Sequence, residues 1–133
     1  MGDPKFSRKL YETPSHPWQS ARIMEEKDLQ KKYGLKNKTE IWKARSKLRS
    51  IRGQARDLQG KQLTGLAQVQ LETQGLLSRL TRMGLVSQGA ALDDILALNV
   101  EAILMRRFQT MAYLKGLAAT PAQSRQIIVH GHV

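Results

Sequence analysis

Arg45, Arg49, Arg52 and Arg56 recur at intervals of four, three and four residues, and no acidic residue falls between positions 41 and 56. At about 100° per residue, that spacing lines four guanidinium groups along one flank of a helix. A helix face that needs only to be soluble usually interleaves Glu with Lys or Arg, gaining pairs three or four residues apart. A row of like charges repels itself and calls for a counter-charge from elsewhere. Phosphate suits it, because guanidinium binds its oxygens in a planar, bidentate manner and stacks on exposed bases; a purely solubilising face is the competing reading. A second cationic group lies in RRFQTMAYLKGLAATPAQSRQIIVHGHV, residues 106–133. There Arg106 and Arg107 close one helical run, where their charges complement both its dipole and a phosphate, and Arg125 lies a turn into the next. Gln109 and Gln123 carry amides able to bond to bases or to sugar hydroxyls. Thr120 opens a helix whose free backbone amides suit an anion. His130 and His132 follow, either as packed or solvated polar groups or as further contacts.

Other chemistries find no support. Asp93 and Asp94 are adjacent acids at a helix start, where capping and the helix dipole account for them, and no nucleophile and base pair stands out. No enzyme is expected. The chain has no cysteine, and His16, His130 and His132 lack the company of further ligands, so neither a metal nor a cofactor is expected. The 133 residues suit one modest core, with 22 Lys and Arg against 11 Asp and Glu and a pI near 10.4. A polyanionic partner follows from that balance. Most of the field sits early: residues 1–62 hold 16 Lys and Arg against 7 acids, and residues 63–133 hold 6 against 4. There is no signal peptide and no run approaching about 18 apolar residues, so a soluble intracellular protein without a membrane partner is expected.

The elements that must position these residues read as mainly helical. Residues 1–17, interrupted by Pro4, Pro14 and Pro17, form an extended basic arm that becomes ordered only when laid against something anionic. Residues 18–98 form a helical body. Its first helix runs from Trp18 to Tyr33, with Lys31 and Lys32 in the last turn and Gly34 ending it. Asn37 then caps, with Glu40 three residues on, the long helix whose apolar stripe is Ile41, Ala44, Leu48, Ile51, Ala55 and Leu58. A further run from Leu63 to Met83 turns Leu66, Val69, Leu76, Leu77, Leu80 and Met83 inward and stops at Gly84. Gly65 and Gly75 inside it point to close backbone approach or a kink. After a Gly-rich break at 84–91, Leu92 to Leu104 resumes helical spacing and divides at Asn99. Residues 99–133 complete the chain with two short helices and a tight turn: Gly116 ends the first, Thr120 caps the second, Pro121 takes its first position, and Gln123 completes a capping box. This punctuation fits a helix-turn-helix and equally any helical hairpin. Ile127, Ile128, Val129 and Val133 read as the start of a first strand, whose small sheet is cut off at Val133.

The stretches YETPSHPWQSARIMEEKDLQKKYGLKNKTEIWKARSKLR and LDDILALNVEAILMRRFQTMAYLKGLAATPAQSRQIIVHGHV resemble the archaeal and eukaryotic type of small ribosomal subunit protein four. Together they cover well over half the chain. The second is similar to an RNA-binding module that this family shares with pseudouridine synthases, some tRNA synthetases and heat-shock proteins. The resemblance implies a mainly helical body with an inserted RNA-binding domain of two helices followed by a small sheet. By position, Arg106 and Arg107 match the basic pair that opens the module. Thr120, Gln123 and Arg125 match its second helix, and His130, Gly131 and His132 its turn into the first strand. The family's module continues through a Val-Asn-Gly hairpin and further strands, which residues 1–133 do not reach: either the sequence is a fragment or the module is incomplete. Acidic residues that the family often carries are replaced here by Ala102 and Met105. The zinc that many members bind through amino-terminal cysteines is not carried over to a chain without cysteine.

The implied function is that of a structural constituent of the small subunit, on cytoplasmic ribosomes. It would bind the five-prime domain of the small-subunit rRNA early in assembly, lie near the messenger entry path and contribute to decoding accuracy. Small-subunit rRNA and other small-subunit ribosomal proteins are the expected partners, with messenger RNA a further candidate. The RNA-contacting set is then Arg45, Arg49, Arg52, Arg56, Arg106, Arg107, Gln109, Thr120, Gln123, Arg125, His130 and His132. The alternative is a DNA-binding helix-turn-helix regulator, although no self-complementary dimer surface is evident outside the apolar stripes.

Overall fold

The computed structural model describes residues 2, 8–62 and 66–133. Among these, seven helices follow one another: α1 Ser20–Lys32, α2 Lys38–Gln62, α3 Ala67–Arg82, α4 Leu92–Ala97, α5 Val100–Met105, α6 Phe108–Leu114 and α7 Pro121–Val129. The long helix α2 is the spine, and Ile41, Ala44, Leu48, Ile51, Ala55 and Leu58 are its buried residues. Its first half packs Ile41 and Ala44 against Tyr33 and Leu35, which follow α1, and against Leu104 of α5. Its second half packs Ile51, Ala55 and Leu58 against Val69, Leu76 and Leu80 of α3 and Leu92 and Ile95 of α4. Each fully buried Leu or Ile contributes about 1.5–3 kcal/mol, so one amphipathic stripe organises both ends of the body.

Glycines end three helices as their positions predict. Gly34, Gly84 and Gly116 have φ of 58°, 68° and 77°, the left-handed region that other residues avoid. Gly34 has a second constraint, because a Cβ there would lie 2.9 Å from Pro121 Cβ and 3.0 Å from the Ala122 nitrogen. The turn after α1 therefore rests against the first residues of α7. The run from Leu92 to Leu104 does divide near Asn99, with Leu98 and Asn99 between α4 and α5, although the Asn99 side chain makes no capping bond.

Several expectations are corrected or fall outside the described residues; among them, Leu66, expected to face inward, is exposed at the start of α3. Ile127, Ile128 and Val129 do not begin a strand; they complete α7, and His130 is its C-cap. The Thr120 cap and Pro121 start a helix that has no reason to stop, and β-branched residues extend a strand only where a pleated neighbour receives them. Gly75 meets nothing: an added Cβ would have no atom within 4 Å, and α3 runs through it without interruption. The proposed helix start at Leu63 and the role given to Gly65 lie outside the described residues, as does Pro4.

The described part of the arm, residues 8–17, contains no helix. It rests on the body through the protein's own contacts. The Glu12 N–H donates to Ser46 Oγ at 2.9 Å, and Arg22 Nη2 donates to the carbonyls of His16 at 2.6 Å and Pro17 at 2.9 Å. Lys9 and Lys43 lie over the Tyr11 ring at 4.8 and 5.7 Å.

The two glycines make opposite predictions. Gly75→Ala should stabilise the protein by about 0.5–1 kcal/mol, the helix-propensity difference. Gly34→Ala should destabilise it by about 2 kcal/mol or more, from left-handed strain plus the clash with Pro121. Urea denaturation of both variants decides it; a stabilised Gly34→Ala would mean that the contact with α7 is not formed.

Candidate nucleic-acid interface

The arginine row of α2 is built as its spacing dictates: Arg45, Arg49, Arg52 and Arg56 line one surface groove of about 420 Å³ with Leu48 and Val100. Their counter-charges, however, come partly from within the chain. Arg45 Nη1 lies 3.2 Å from Glu26 Oε1, and its Nη2 is 4.0 Å from Glu25. Arg49 pairs with Glu12, and Arg52 Nη2 donates to the Leu98 carbonyl at the end of α4. Arg52 is thus a strut between α2 and the α4–α5 junction, its buried Nε lacking a hydrogen-bond partner among the described residues. Arg56 is exposed and forms no ion pair or hydrogen bond with a described residue. The acids come from α1 and the arm, which a scan for partners three or four residues away on α2 could not find.

Glu26 is the centre of the arrangement. It is completely buried, and its Oε1 accepts from Arg22 at 3.1 Å, Trp42 Nε1 at 3.1 Å and Arg45 at 3.2 Å, while Lys38 Nζ lies 3.6 Å from Oε2. Three cations on one carboxylate leave a positive surplus, held in fixed positions at the start of the row.

A second node joins the α6–α7 hairpin to the body. Arg107 Nη1 lies 2.8 Å and Arg125 Nη2 3.2 Å from Glu40 Oε2. Partial burial pushes the Glu40 carboxyl up, but the Arg107 hydrogen bond and the charges of Arg107 and Arg125 outweigh it and hold it below the usual carboxylate range. Gln109 is buried: its Nε2 donates to the carbonyls of Pro121 at 2.8 Å and Gly34 at 3.1 Å, and its Oε1 accepts from Arg125 at 3.1 Å. Such an amide positions Arg125 and has no free edge to offer a base. Ser124 Oγ donates to the Gln109 carbonyl at 2.8 Å and closes α6 on α7. Alongside, Glu101 accepts from Lys32 at 2.8 Å and Tyr33 at 3.1 Å, and the Lys32 bond, followed by that of Tyr33, holds its carboxyl below the usual range.

The other predicted contacts fall in different places. Arg106 lies against Gly84 and donates from Nε to the Met83 carbonyl at 3.0 Å, turning away from Arg107. Thr120 Oγ1 accepts from the Gln123 N–H at 3.1 Å, and Gln123 Oε1 accepts from the Ala119 N–H at 2.9 Å, so these two side chains serve the start of α7. His130 and His132 are exposed at its end, with ring centroids 6.0 Å apart. Two cations absent from the sequence reading stand out. Lys43 and Lys47 are exposed and share a groove of about 350 Å³ with Arg107. Their spacing of four on α2 was the available signal.

The chain is similar to known proteins over its whole length. Over 133 residues the chain is 50% identical to small ribosomal subunit protein uS4 of Thermoplasma acidophilum, covering the whole chain and 67% of that protein. It is 49% identical to the protein of the same name from Thermoplasma volcanium, covering 66% of it, and 51% identical over 134 residues to that of Methanococcus aeolicus, covering 74%. The chain thus spans roughly two thirds to three quarters of these relatives. No family model matches it.

The Glu40 node has a pH signature. Because the folded-state carboxyls of Glu40 and Glu101 are depressed, their contribution is fully present above the ordinary Glu value of about 4.3 and is lost as pH falls through the lowered values. Glu40→Gln should therefore cost about 1–2 kcal/mol at neutral pH, typical of charged hydrogen bonds, and should lose less stability than the parent on acidification below about pH 4. Denaturation at neutral pH and at about pH 3 checks both; identical acid sensitivity in the two proteins would remove Glu40 as the cause.

Proposed function

The chain belongs to the uS4 family of small ribosomal subunit proteins, and we propose that it is a structural constituent of the small ribosomal subunit, held on rRNA by the cations of α2 and of the α5–α7 region. It is not an enzyme. The observation that carries the RNA-binding reading is the groove lined by Arg45, Arg49, Arg52 and Arg56, in which Arg56 has no partner among the described residues and Arg49 is largely exposed. Phosphate contacts from such a row supply affinity, and the shape of folded RNA supplies selectivity.

On this reading, the named residues divide by role. Arg45, Arg49 and Arg56 make phosphate contacts, joined by Lys43, Lys47 and Arg107 across α2. Arg107 and Arg125 share the single charge of Glu40, so this node remains net positive. Arg106, His130 and His132 are placed for contact at the edges. Arg52, Gln109, Thr120 and Gln123 act indirectly, fixing the helices that carry the others. The target proposed is the five-prime domain of small-subunit rRNA, engaged early in assembly. Neighbouring small-subunit proteins and passing messenger RNA would be further partners, with an effect on decoding accuracy. The cytoplasmic ribosome is the corresponding location.

Binding of the chain to a five-prime-domain transcript, followed across salt, tests this reading. With 6–10 phosphate contacts, affinity should fall by about 10³- to 10⁵-fold between about 50 and 200 mM monovalent salt. Arg56→Gln should weaken binding and lower the salt slope by about one without changing thermal stability. Affinity that does not respond to salt would refute the reading, and equal affinity for duplex DNA would favour a DNA-binding regulator.

A further inference from the structure

The arm and the start of the arginine row line an open cavity of about 210 Å³, whose walls include Arg22, Trp42, Arg45, Ser46 and Arg49 together with Glu12 of the arm. We propose that this cavity is a phosphodiester-binding site, and that in the RNA-free protein the Glu12 carboxylate of the arm occupies the position of the phosphate. This rests on the rRNA-binding reading above and deepens it by naming one phosphate position and the internal group that competes for it.

Three of the lining side chains are anchored on one buried group. Buried Glu26 binds Arg22 and Arg45 through their Nη1 atoms and takes the indole N–H of Trp42. Trp42 also lines the cavity and offers aromatic surface there to a sugar or base. Among the described residues, the second nitrogen of Arg45 meets only Glu25, at the 4.0 Å limit of an ion pair, and so keeps a hydrogen-bonding edge for an incoming oxygen. Arg22 adds charge rather than a free donor, since its Nη2 is engaged by the carbonyls of His16 and Pro17.

The Glu12 contact differs in kind. The side chains of Glu12 and Arg49 are 66% and 75% exposed, so their attraction acts in a high dielectric and is weak and screened by salt. A carboxylate and a phosphate present similar paired oxygens to a guanidinium, so one can replace the other with little rearrangement. The arm need not leave when that happens. Its seat depends on the Glu12 backbone N–H to Ser46 and on the Arg22 bonds to carbonyls, none of which involves the Glu12 carboxylate. Among residues 8–17, Glu12 is the sole acid, in a segment that otherwise carries Arg8 and Lys9.

A double-mutant cycle tests the exchange, using the wild-type chain, Glu12→Gln, Arg49→Gln and the double variant. Each is titrated with the five-prime-domain transcript at one moderate salt concentration. Glu12→Gln should tighten binding by about two- to fivefold, the fold-change matching the coupling of an exposed ion pair. Arg49→Gln should weaken binding, and adding Glu12→Gln to it should then change nothing. Equal tightening in both backgrounds would make Glu12 a diffuse negative charge and overturn the proposal, as would weaker binding by Glu12→Gln. Salt-independent binding by the wild-type chain would instead defeat the rRNA-binding reading itself, whatever the cycle shows. Thermal unfolding should be the same for wild type and Glu12→Gln, confirming that the arm's seat is intact.

Discussion

A carboxylate out of reach of water, Glu26, is held between α1 and α2 by Arg22, Arg45, Lys38 and the indole of Trp42. An isolated buried charge would cost far more than any single apolar contact in this body returns, so it exists only because its partners converge on it. The dependence is mutual. Arg45 and Lys38 sit on the spine helix, which carries no acid between 41 and 56, and without Glu26 their charges would add to the repulsion along it. Arg22 extends the same knot to the arm through the His16 and Pro17 carbonyls. One side chain therefore fixes α1, the start of α2 and the path of the chain that precedes them.

Glu40 does on the opposite side of α2 what Glu26 does on the first. It takes Arg107 from the start of α6 and Arg125 from α7, and the buried Gln109 bridges from Arg125 to the turn at Gly34. The chain has 11 acids for 22 cations, and Glu26 and Glu40 each serve more than one cation, so both of these nodes keep a positive remainder. That remainder is ordered. An arginine already held at one nitrogen has lost much of its rotamer freedom in the free protein, and so gives up less entropy when a phosphate takes its other edge. Internal pairing and the proposed external binding are thus complementary uses of the same guanidinium groups.

Local chemistry explains which parts of this were legible in the sequence. The stripe Ile41 to Leu58, the glycines at 34, 84 and 116 and the Thr120, Pro121, Gln123 cap are decided within a few residues, and each appears where its spacing puts it. The arginine row is likewise a property of one helix. Which acids meet it is a tertiary fact: Glu12 lies 37 residues from Arg49 and Glu40 lies 85 from Arg125, separations at which periodicity carries no signal. Gln109 illustrates the same limit, since nothing local distinguishes an amide facing solvent from one closed between two helices and a turn. The β-prone run at 127–129 misled for a related reason, because its helical state is set by the cap upstream of it.

The two kinds of counter-ion also respond differently to the medium. Glu26 is fully buried, so its own pairs should respond to ionic strength far less than exposed ones do. The exposed pair of Arg49 and Glu12, and Arg56, which has no partner among the described residues, lie in the range where mobile ions compete directly. Electrostatics that hold the fold are thereby separated from electrostatics that are open to exchange, although both use arginines of the same helix row. Such a separation lets a strongly basic chain keep its fold across salt conditions that change its hold on a polyanion by orders of magnitude. Had the row been neutralised throughout by exposed acids of its own helix, the repulsion would be gone, but so would the positive surplus that gives a phosphate reason to displace them.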